Sequence, residues 1–265
     1  MISEFHKYQG AGNDFIIIDD RNLQFPSKNI SLIARLCNRK FGIGADGLIL
    51  LQPQTDGDFF MKYFNSDGRE SSMCGNGGRC IAAYAFHQQI VSANTRFMAT
   101  DGWHEAIIHP PLVKLKMQDV KSISVRNEHD FVLNTGSPHY VSFTSIPVAE
   151  LNLIKLAKTI RHNSEFNNEG INVNFINSTQ PNEISMRTFE RGVEDETLSC
   201  GTGVTAAVLC SALFNNYSEG NYRTEVETPG GKLAVTFSYC QNPVSFKDIW
   251  LEGPAECVFK GEISF

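Results

Sequence analysis

The spacing of apolar residues along the chain predicts many short strands and few helices. The runs at 15–19, 47–51 and 58–65 are short and apolar, as is typical of buried strands. Further short β candidates fill 103–136, and the pattern stays β-like from residue 222 onward, broken by a turn at "TPGGK". Most of the chain is therefore expected to form sheet.

Two segments, 29–40 and 150–163, carry apolar residues at the spacing of amphipathic helices. Each should pack one face on a sheet and leave the other in solvent. Ser27 or Asn29 can cap the first helix through its side-chain oxygen. The predicted apolar side of the second helix consists of Leu151, Ile154, Leu156, Ala157 and Ile160.

Two more helices are predicted at 77–86 and 201–214, where nearly every residue is small or apolar. A helix that is apolar on all sides belongs in the interior of a domain. Each follows a cysteine and a Gly-x-Gly segment, which reads "CGNG" from Cys74 and "CGTG" from Cys200. We interpret the two segments as a matched pair.

The order of elements repeats once along the chain. "YFNSDGRESSMCGNGG" in the first half aligns with "TFERGVEDETLSCGTG" in the second, with an offset of one residue. We therefore predict an α/β (α+β) fold with two pseudo-symmetric domains, 1–118 and 119–265, the last strand being able to return to the first half. Each domain is expected to be a β-sheet or barrel-like layer wrapped around one central buried helix, with the active site in the cleft between the domains.

The charge and the termini exclude some classes of protein. The chain has 265 residues with 23 Lys and Arg against 29 Asp and Glu, and no basic run indicates nucleic-acid binding. The N-terminal segment lacks the pattern of a signal sequence and no apolar run is long enough for a membrane span, so a cytoplasmic protein is expected. The seven cysteines include no Cys-x-x-Cys pair, which predicts free thiols and no structural zinc site.

Cys74 and Cys200 should each lie at or near the N-terminus of a buried helix. The first N–H groups of a helix have no partner within it and, with the helix dipole, favour negative charge. A cysteine placed there has a lowered pKa, and neighbouring glycines let the carboxylate of a ligand approach the N–H groups. One such cysteine is commonly a buried residue beside a turn, whereas two in equivalent places favour a functional pair.

Other features of the sequence do not indicate a functional site. "GIGADG" at 42–47 matches Gly-x-Gly-x-x-Gly, but it follows a helix pattern and precedes a strand, which is the reverse of a dinucleotide site. We interpret it as a tight loop. The remaining cysteines lack the helix-start context, and Cys80 and Cys210 are expected to be core residues.

Two thiols on opposite sides of one carbon can invert its configuration, because one removes a proton and the other returns a proton to the opposite face. The α-hydrogen of an amino acid is weakly acidic, so such a site must stabilise an enolate-like carboxylate, as two helix N-termini would. No pyridoxal-phosphate site is recognisable. The residues therefore favour a racemase or epimerase without a cofactor, acting on a small amino acid.

The segments "GAGNDF", "CGNGGRC" and "ERGVEDETLSCGTGVTAA" resemble the signatures of the diaminopimelate epimerase family, in an order and spacing that cover nearly the whole chain. The resemblance implies two pseudo-symmetric α/β domains. It also implies interconversion of LL- and meso-diaminopimelate, on the route to lysine and peptidoglycan, without cofactor or metal. The expected partner is a small amino-acid substrate, and assembly as a homodimer is left open.

The resemblance also assigns site residues by position. Cys74 and Cys200 match the two thiols that act as base and acid, and His139 and Glu190 match groups that exchange protons with them. Backbone N–H groups after each cysteine are expected to hold the reacting carboxylate, and Arg191 the distal one. The positions implied for substrate binding are Asn13, Asn65, Gly75, Asn76, Asn172, Glu190, Arg191, Gly201 and Thr202.

Three departures from the family pattern concern the far end of the substrate. Ser137 stands where many members have Asn before Pro-His, Gly47 stands where many have Gln, and "ERGVEDET" is one residue longer than the common segment. These changes affect distal recognition and leave both thiols in place.

Other functions remain open on the residues alone. A proline or hydroxyproline racemase-like enzyme uses the same paired thiols on a ring substrate, although Arg191 favours a substrate with a second polar end. A non-enzymatic binding protein would use the helix N-termini but would not need both cysteines. A thiol redox protein is disfavoured by the lack of a Cys-x-x-Cys pair.

Overall fold

A computed structural model describes residues 2–180 and 182–264. Within them the chain forms a mixed α/β structure that is mostly sheet, as predicted. The helices are α1 (Ile30–Cys37), α2 (Gly75–His87), α3 (Leu153–Arg161) and α4 (Gly201–Phe214), with a short 3₁₀ turn at Val148–Glu150. The strands are β1 (Ile2–Gly10), β2 (Asn13–Asp19), β3 (Gly47–Gln52), β4 (Phe60–Asn65), β5 (Glu70–Ser71), β6 (Asn94–Ala99), β7 (Gly102–His109), β8 (Leu112–Lys116), β9 (Ser124–Val125), β10 (Asp130–Asn134), β11 (Pro138–Phe143), β12 (Asn172–Gln180), β13 (Glu183–Glu190), β14 (Asp195–Thr197), β15 (Gly220–Thr228), β16 (Gly231–Gln241), β17 (Val244–Pro254) and β18 (Glu256–Ser264).

The chain forms two compact units. The first holds the residues up to Leu115 together with those from Gly253 on, and the second is Lys116–Glu252. Each unit contains one of the two Cys-Gly-x-Gly segments and the helix that follows it. The domain boundaries expected from the sequence, 1–118 and 119–265, remain a prediction.

The first unit contains a pair of parallel strands connected by a helix. β1 pairs antiparallel with β2, and β2 pairs in parallel with β3, with α1 between them in the chain. A parallel pair needs such a crossover, because the chain must return to the same end of the sheet. β3 and β4 are antiparallel, β4 and β6 are parallel, and β6, β7 and β8 form an antiparallel run.

The second unit repeats this order of pairings. β10 and β11 are antiparallel, and β11 and β12 are parallel with α3 as the crossover. β12 and β13 are antiparallel, β13 and β15 are parallel, and β15, β16 and β17 form an antiparallel run. The prediction of two repeated halves, made from the aligned cysteine segments, is therefore confirmed.

The helices α2 and α4 are interior helices, as their composition predicts. α2 is buried from Asn76 to Ala85 and contacts β1, β2 and β7. α4 is buried from Gly203 to Ala212 and contacts β11, β12 and β13. Despite this apolar character, none of the helices in the described part of the chain has the length and hydropathy needed to cross a bilayer.

The first turn of α2 was not predicted, because its glycines have a low helix propensity. The helix begins at Gly75, ahead of the predicted start at Gly77, because the low helix propensity of glycine is overridden by packing. A Cβ atom on Gly77 would lie 3.2 Å from side-chain atoms of both Ile49 and Met61. The absence of that atom lets the first turn pack closely against β3 and β4.

The apolar side predicted for α3 is wrong at Leu156, which is 40% exposed. The buried face of the helix is formed by Leu153 and Ala157, with Ile154 and Ile160 partly buried against the same cluster. At 3.6 residues per turn, Leu156 lies beside this stripe rather than within it.

We expect Leu209→Ala to lower the free energy of unfolding by about 2–5 kcal/mol, because Leu209 is fully buried in α4 and its truncation leaves a cavity. Leu156→Ala is the matched control, with an expected change of about 0.5 kcal/mol or less at its exposed position. Urea titration of both variants measures the difference. Equal losses would contradict the interior position of α4.

Candidate functional site

Cys74 is the residue on which α2 begins. It is the N-cap, with an extended backbone (φ −97°, ψ 132°), and its carbonyl accepts the N–H of Gly78 at 2.8 Å. The thiol makes no cap hydrogen bond to the helix backbone. Instead, the sulfur lies beside Asn13 at the start of β2.

Asn13 links the thiol to the first turn of α2. The Cys74 Sγ donates to Asn13 Oδ1 at 3.5 Å, and Asn76 Nδ2 donates to the same oxygen at 3.3 Å. Asn13 Nδ2 donates to Asp46 Oδ2 at 2.7 Å, which fixes the orientation of the Asn13 amide. The structure thus brings together Asn13, Cys74 and Asn76, three of the residues selected from the sequence.

Ion pairs hold the loop that carries Asp46 against β1 and β2. Asp14 pairs with Lys7 and with Arg39, each at 2.7 Å, and Arg39 also pairs with Asp46 at 2.8 Å. Burial by itself would raise the pKa of the Asp14 carboxyl, but hydrogen bonds from Arg39 and Lys7 outweigh it and hold this pKa well below its usual range. Asp14, the residue after Asn13, is therefore a charged carboxylate whose charge is balanced by Lys7 and Arg39.

Gly47 and Asn65 lie at the end of the sheet where β2 begins, because Gly47 pairs with both Phe15 and Asn65. A Cβ atom on residue 47 would lie 2.5 Å from a ring carbon of Tyr63 and 2.6 Å from the carbonyl oxygen of Phe64. A side chain such as Gln would require Tyr63 to move. The departure at Gly47 therefore has a steric reason.

Cys200 begins α4 in the same way as Cys74 begins α2. It is the N-cap, with an extended backbone (φ −117°, ψ 109°), and it is 8% exposed. Its Sγ lies 3.5 Å from Thr202 Oγ1, and that hydroxyl lies 2.9 Å from His139 Nε2. Thr135 Oγ1 donates to the Thr202 carbonyl at 2.8 Å, which holds the first turn of the helix.

Asn174 determines which nitrogen of His139 carries the proton. Its Nδ2 donates to the Tyr140 carbonyl at 2.9 Å and lies 3.2 Å from His139 Nδ1. Its Oδ1 accepts from Thr188 Oγ1 at 3.0 Å, and reversing the amide would place this oxygen against the Tyr140 carbonyl, which cannot donate. Nδ1 therefore accepts, and the neutral ring donates its Nε2 proton to Thr202.

His139 is fully buried, and burial is the larger cause that lowers the pKa of its imidazole from 6.5 to about 3, with the charge of Arg191 as the second cause. The ring is neutral at physiological pH. Because the Thr202 oxygen accepts from His139, its own hydroxyl proton can be directed to the Cys200 sulfur. Cys200, Thr202, His139 and Asn174 form one half-site, in which hydrogen bonds can run in one direction, toward the thiol.

Asn172 fixes two segments on either side of β12. Its Nδ2 donates to Ser137 Oγ at 2.6 Å and to the Pro138 carbonyl at 3.0 Å. Its Oδ1 accepts the backbone N–H of Arg191 at 2.9 Å. Ser137, one of the departures noted in the sequence, thus acts as a hydrogen-bond partner of Asn172.

The Arg191 side chain is exposed, and among the described residues one hydrogen bond holds its guanidinium. Its Nη1 donates to the Glu169 carbonyl at 3.0 Å, and no carboxylate among the described residues forms an ion pair with it. Gly170 makes room for the side chain, since a Cβ there would lie 2.6 Å from Arg191 Cδ. The neighbouring Glu190 accepts a hydrogen bond from Thr197 Oγ1 at 2.9 Å. The guanidinium is therefore able to bind an anion.

Three residues that support the site were not selected from the sequence: Asp46, Asn174 and Arg79. Asn174 lies two residues after Asn172 on the same face of β12, and Asn is uncommon inside strands, which is a usable signal. Arg79 is a charged residue in an otherwise small and apolar helix, and it donates to Asn76 Oδ1 at 2.8 Å. Asp46 lies in the "GIGADG" loop, and no sequence pattern there indicates that it supports a site.

The buried cysteines outside the two helix caps are neutral thiols. Burial raises the pKa of Cys37 and of Cys80 to about 12, and it raises that of Cys210 well above its ordinary value. We assign them no role in the site. Across the described residues there is no group of three His, Cys, Asp or Glu side chains that could hold a metal ion.

Sequence comparison finds relatives along nearly the whole chain. The model of the family described as diaminopimelate epimerase matches residues 5–110 and 131–248. A diaminopimelate epimerase of Flavobacterium psychrophilum is 45% identical over 261 residues, covering 98% of this chain and 100% of the relative. A diaminopimelate epimerase of Aquifex aeolicus is 36% identical and covers 98% of each chain.

Solved structures share the fold at low sequence identity. A phenazine biosynthesis protein of the PhzF family from Bacillus anthracis has a TM-score of 0.75 at 13% identity and covers 100% of both chains. A probable proline racemase from Agrobacterium radiobacter has a TM-score of 0.68 at 14% identity, over 99% of this chain and 93% of that one. This likeness confirms the predicted fold class and extends no further than the fold.

We expect His139 to stay neutral, protonated on Nε2, at every pH above about 5, because its pKa of about 3 lies far below that range. The ¹⁵N NMR shifts of its ring nitrogens should show this tautomer without a titration midpoint between about pH 5 and pH 8. A midpoint near pH 6.5 would contradict the buried, neutral ring.

The same low pKa predicts a loss of stability in acid. Between about pH 6.5 and pH 3 the unfolded chain binds a proton at His139 that the folded chain does not, so stability falls as the pH falls. Relative to His139→Gln, the wild-type free energy of unfolding should fall more steeply, by about 1.4 kcal/mol per pH unit. Parallel slopes between about pH 6 and pH 4 would contradict this assignment.

Proposed function

Because the chain belongs to the diaminopimelate epimerase family, we propose that it interconverts LL- and meso-diaminopimelate, on the route to lysine and peptidoglycan. The activity is then that of an isomerase, and the substrate is a small amino acid with a carboxylate at each end. The reaction inverts one α-carbon and leaves the other unchanged.

The observation that carries the proposal is that both repeats place a cysteine at the same point. Cys74 and Cys200 are N-cap residues of interior helices in units that share one order of strand pairings. Each sulfur lies 3.5 Å from the oxygen of a polar side chain, which is Asn13 in the first unit and Thr202 in the second. A helix N-terminus favours the thiolate over the thiol, so each cysteine is suited to exchange protons.

In the proposed reaction one thiolate removes the α-proton and becomes a thiol. The electron pair of the broken C–H bond passes into the adjacent carboxylate as an enolate-like charge. The other thiol then gives its proton to the opposite face of the carbon and becomes a thiolate. One proton leaves the substrate and one enters it, so the step balances without an oxidant, a reductant or a cofactor.

The helix N-termini would stabilise the charge that develops on the carboxylate. We assign this role to the backbone N–H groups of Gly75 and Asn76 in α2, and of Gly201 and Thr202 in α4. These groups lie at the positive ends of the helix dipoles. Donors fixed in advance where charge develops usually make the largest contribution to such a reaction.

His139 would act on Cys200 through Thr202 rather than directly. The neutral ring donates to the Thr202 hydroxyl, which can then donate to the sulfur and stabilise its thiolate. For Glu190 we keep the proton-exchange role that the family resemblance implies. Its place at the end of β13, next to Arg191, whose backbone N–H binds Asn172, supports this role.

The far end of the substrate would be held by Arg191, with Asn13, Asn65 and Asn172 as further polar contacts. A guanidinium can bind a carboxylate through two parallel hydrogen bonds. Since no described carboxylate pairs with Arg191, it favours a substrate with a second carboxylate. The proline racemase-like alternative, with its ring substrate, has only the shared fold in its favour.

We also propose that the protein is cytoplasmic and forms a homodimer. Val258 and Phe259 on β18 are 57% and 47% exposed, and burial of such apolar side chains would favour contact with a second chain. Sedimentation equilibrium should give twice the chain mass of 29.5 kDa. A monomer at micromolar concentration would contradict the dimer and leave the proposed reaction untouched.

Incubation with LL-diaminopimelate in deuterated water tests the reaction. Deuterium should appear at the inverted α-carbon of the meso product, without added pyridoxal phosphate, because the returning proton comes from a thiol that exchanges with solvent. Mass spectrometry and NMR measure the incorporation. A complete lack of α-deuterium would remove the proposal.

Single cysteine variants test the two thiols. Cys74→Ala and Cys200→Ala should each lower the epimerisation rate by about 10²–10⁴-fold or more, because each removes one of the two proton-transfer groups. Cys80→Ala and Cys210→Ala are matched controls within the same two helices and should keep most of the activity. Full activity in either cap variant would contradict the two-thiol reaction and favour a binding protein.

A further inference from the structure

Arg79 is a buried cation in the second turn of α2 without a carboxylate partner. Its side chain is fully buried, and its Nη2 donates to Asn76 Oδ1 at 2.8 Å. Its Nε and Nη1 have no hydrogen-bond partner, and no described Asp or Glu forms an ion pair with it. A buried charge without a partner is costly, so such an arrangement requires an explanation.

The other fixed charges near the start of α2 are already compensated. Lys7 and Arg39 carry two positive charges, and they pair with Asp14 and Asp46, which carry two negative charges. These four side chains are therefore balanced among themselves. They leave no surplus negative charge for Arg79.

The remaining titratable groups near Cys74 do not balance Arg79 either. Asp101 accepts the Met73 N–H at 3.4 Å and pairs with His104 at 3.2 Å, and its side chain is 36% exposed and so partly screened by solvent. The Cys80 thiol is neutral, because burial raises its pKa to about 12. The surplus charge on the interior side of the Cys74 half-site is thus positive.

A chain of side-chain hydrogen bonds connects Arg79 to the Cys74 sulfur. Arg79 donates to Asn76 Oδ1, Asn76 Nδ2 donates to Asn13 Oδ1, and the Cys74 thiol donates to the same Asn13 oxygen. Because Arg79 holds Oδ1 of Asn76, the amide of Asn76 presents its Nδ2 to Asn13 Oδ1. The guanidinium therefore orients the Asn76 amide as well as supplying charge.

The second repeat has no buried cation at the equivalent position of its helix. Counting from each cysteine, Thr205 is the residue of α4 that corresponds to Arg79 of α2. Thr205 is fully buried and neutral, and its Oγ1 donates to the Gly201 carbonyl of its own helix at 3.0 Å. The two cysteines occupy equivalent places in the backbone, but their electrostatic surroundings differ.

We propose that Arg79 is a positioning residue whose buried charge compensates the thiolate of Cys74 and makes Cys74 the more acidic of the two cap thiols. The free enzyme then carries its thiolate on Cys74 and its thiol on Cys200. Ionisation of Cys74 removes the hydrogen bond from its thiol to Asn13 Oδ1, and the charge of Arg79 outweighs that loss. This proposal deepens the two-thiol reaction and rests on it for its catalytic meaning, but the acidity of each thiol is a property of the protein without substrate.

The interaction should be mutual. Burial lowers the pKa of the Arg79 guanidinium, because the buried charge is poorly solvated. An anion that forms at Cys74 stabilises that charge, and the charge stabilises the anion by the same free energy. A neutral side chain at position 79 would remove the effect from Cys74 alone.

The rate at which iodoacetamide alkylates each cysteine, measured against pH by peptide mass spectrometry, reports the two thiol pKa values separately. In the wild-type protein the midpoint for Cys74 should lie below that for Cys200. Arg79→Met should raise the Cys74 midpoint by about one pH unit or more and leave the Cys200 midpoint in place. Arg79→Lys, which keeps the charge, should restore most of the wild-type profile.

Thr205→Val is the matched control, because it changes the equivalent neutral position of the other repeat and should not move the Cys74 midpoint. Thermal melting of each variant shows whether it is folded. A wild-type Cys74 midpoint equal to or above that of Cys200 would overturn the proposal without any variant. Since the assay contains no diaminopimelate, this outcome is separate from a failure of the proposed epimerase activity.

Discussion

The start of an interior helix is the constraint on which the rest of this structure depends. α2 and α4 are buried along most of their length, but Gly75 and Thr202 in their first turns are only partly buried. The unpaired N–H groups at these two helix starts can therefore bind a ligand. In each unit that point coincides with a cysteine, a glycine and the polar end of the sheet. An interior helix, a thiol and a set of strand ends therefore define one half-site, and the chain contains this arrangement twice.

The two half-sites share a backbone and differ in the side chains that support them. The first rests on charges, with Asp14 and Asp46 held by Lys7 and Arg39. The second rests on neutral hydrogen bonds that run from Thr188 through Asn174 and His139 to Thr202. Charges and neutral dipoles act differently on a nearby sulfur, so a duplicated fold can hold two thiols of unequal acidity. A reaction that needs one base and one acid in each direction is served by such inequality.

The ends of a helix were predicted best where the composition changed sharply or where a capping residue was present. α4 has the predicted bounds, and Asn29 caps α1 by accepting the N–H of Leu32, as its position indicated. α1 ends at Cys37, before the predicted end, because the chain turns at Asn38. β1 was missed, since polar residues such as His6 and Lys7 interrupt its apolar pattern, and both are buried only through tertiary contacts.

The sequence by itself determined the sheet-rich α/β class, the repeat, and the matched cysteines before two apolar helices, because these depend on local composition and order. Only the tertiary structure decided the protonation state of His139 and that no described carboxylate forms an ion pair with Arg79. The partners of His139 lie 35 residues away at Asn174 and 63 residues away at Thr202. Burial and distant neighbours set the charge of an ionisable group, and neither is encoded in the residues beside it in the chain.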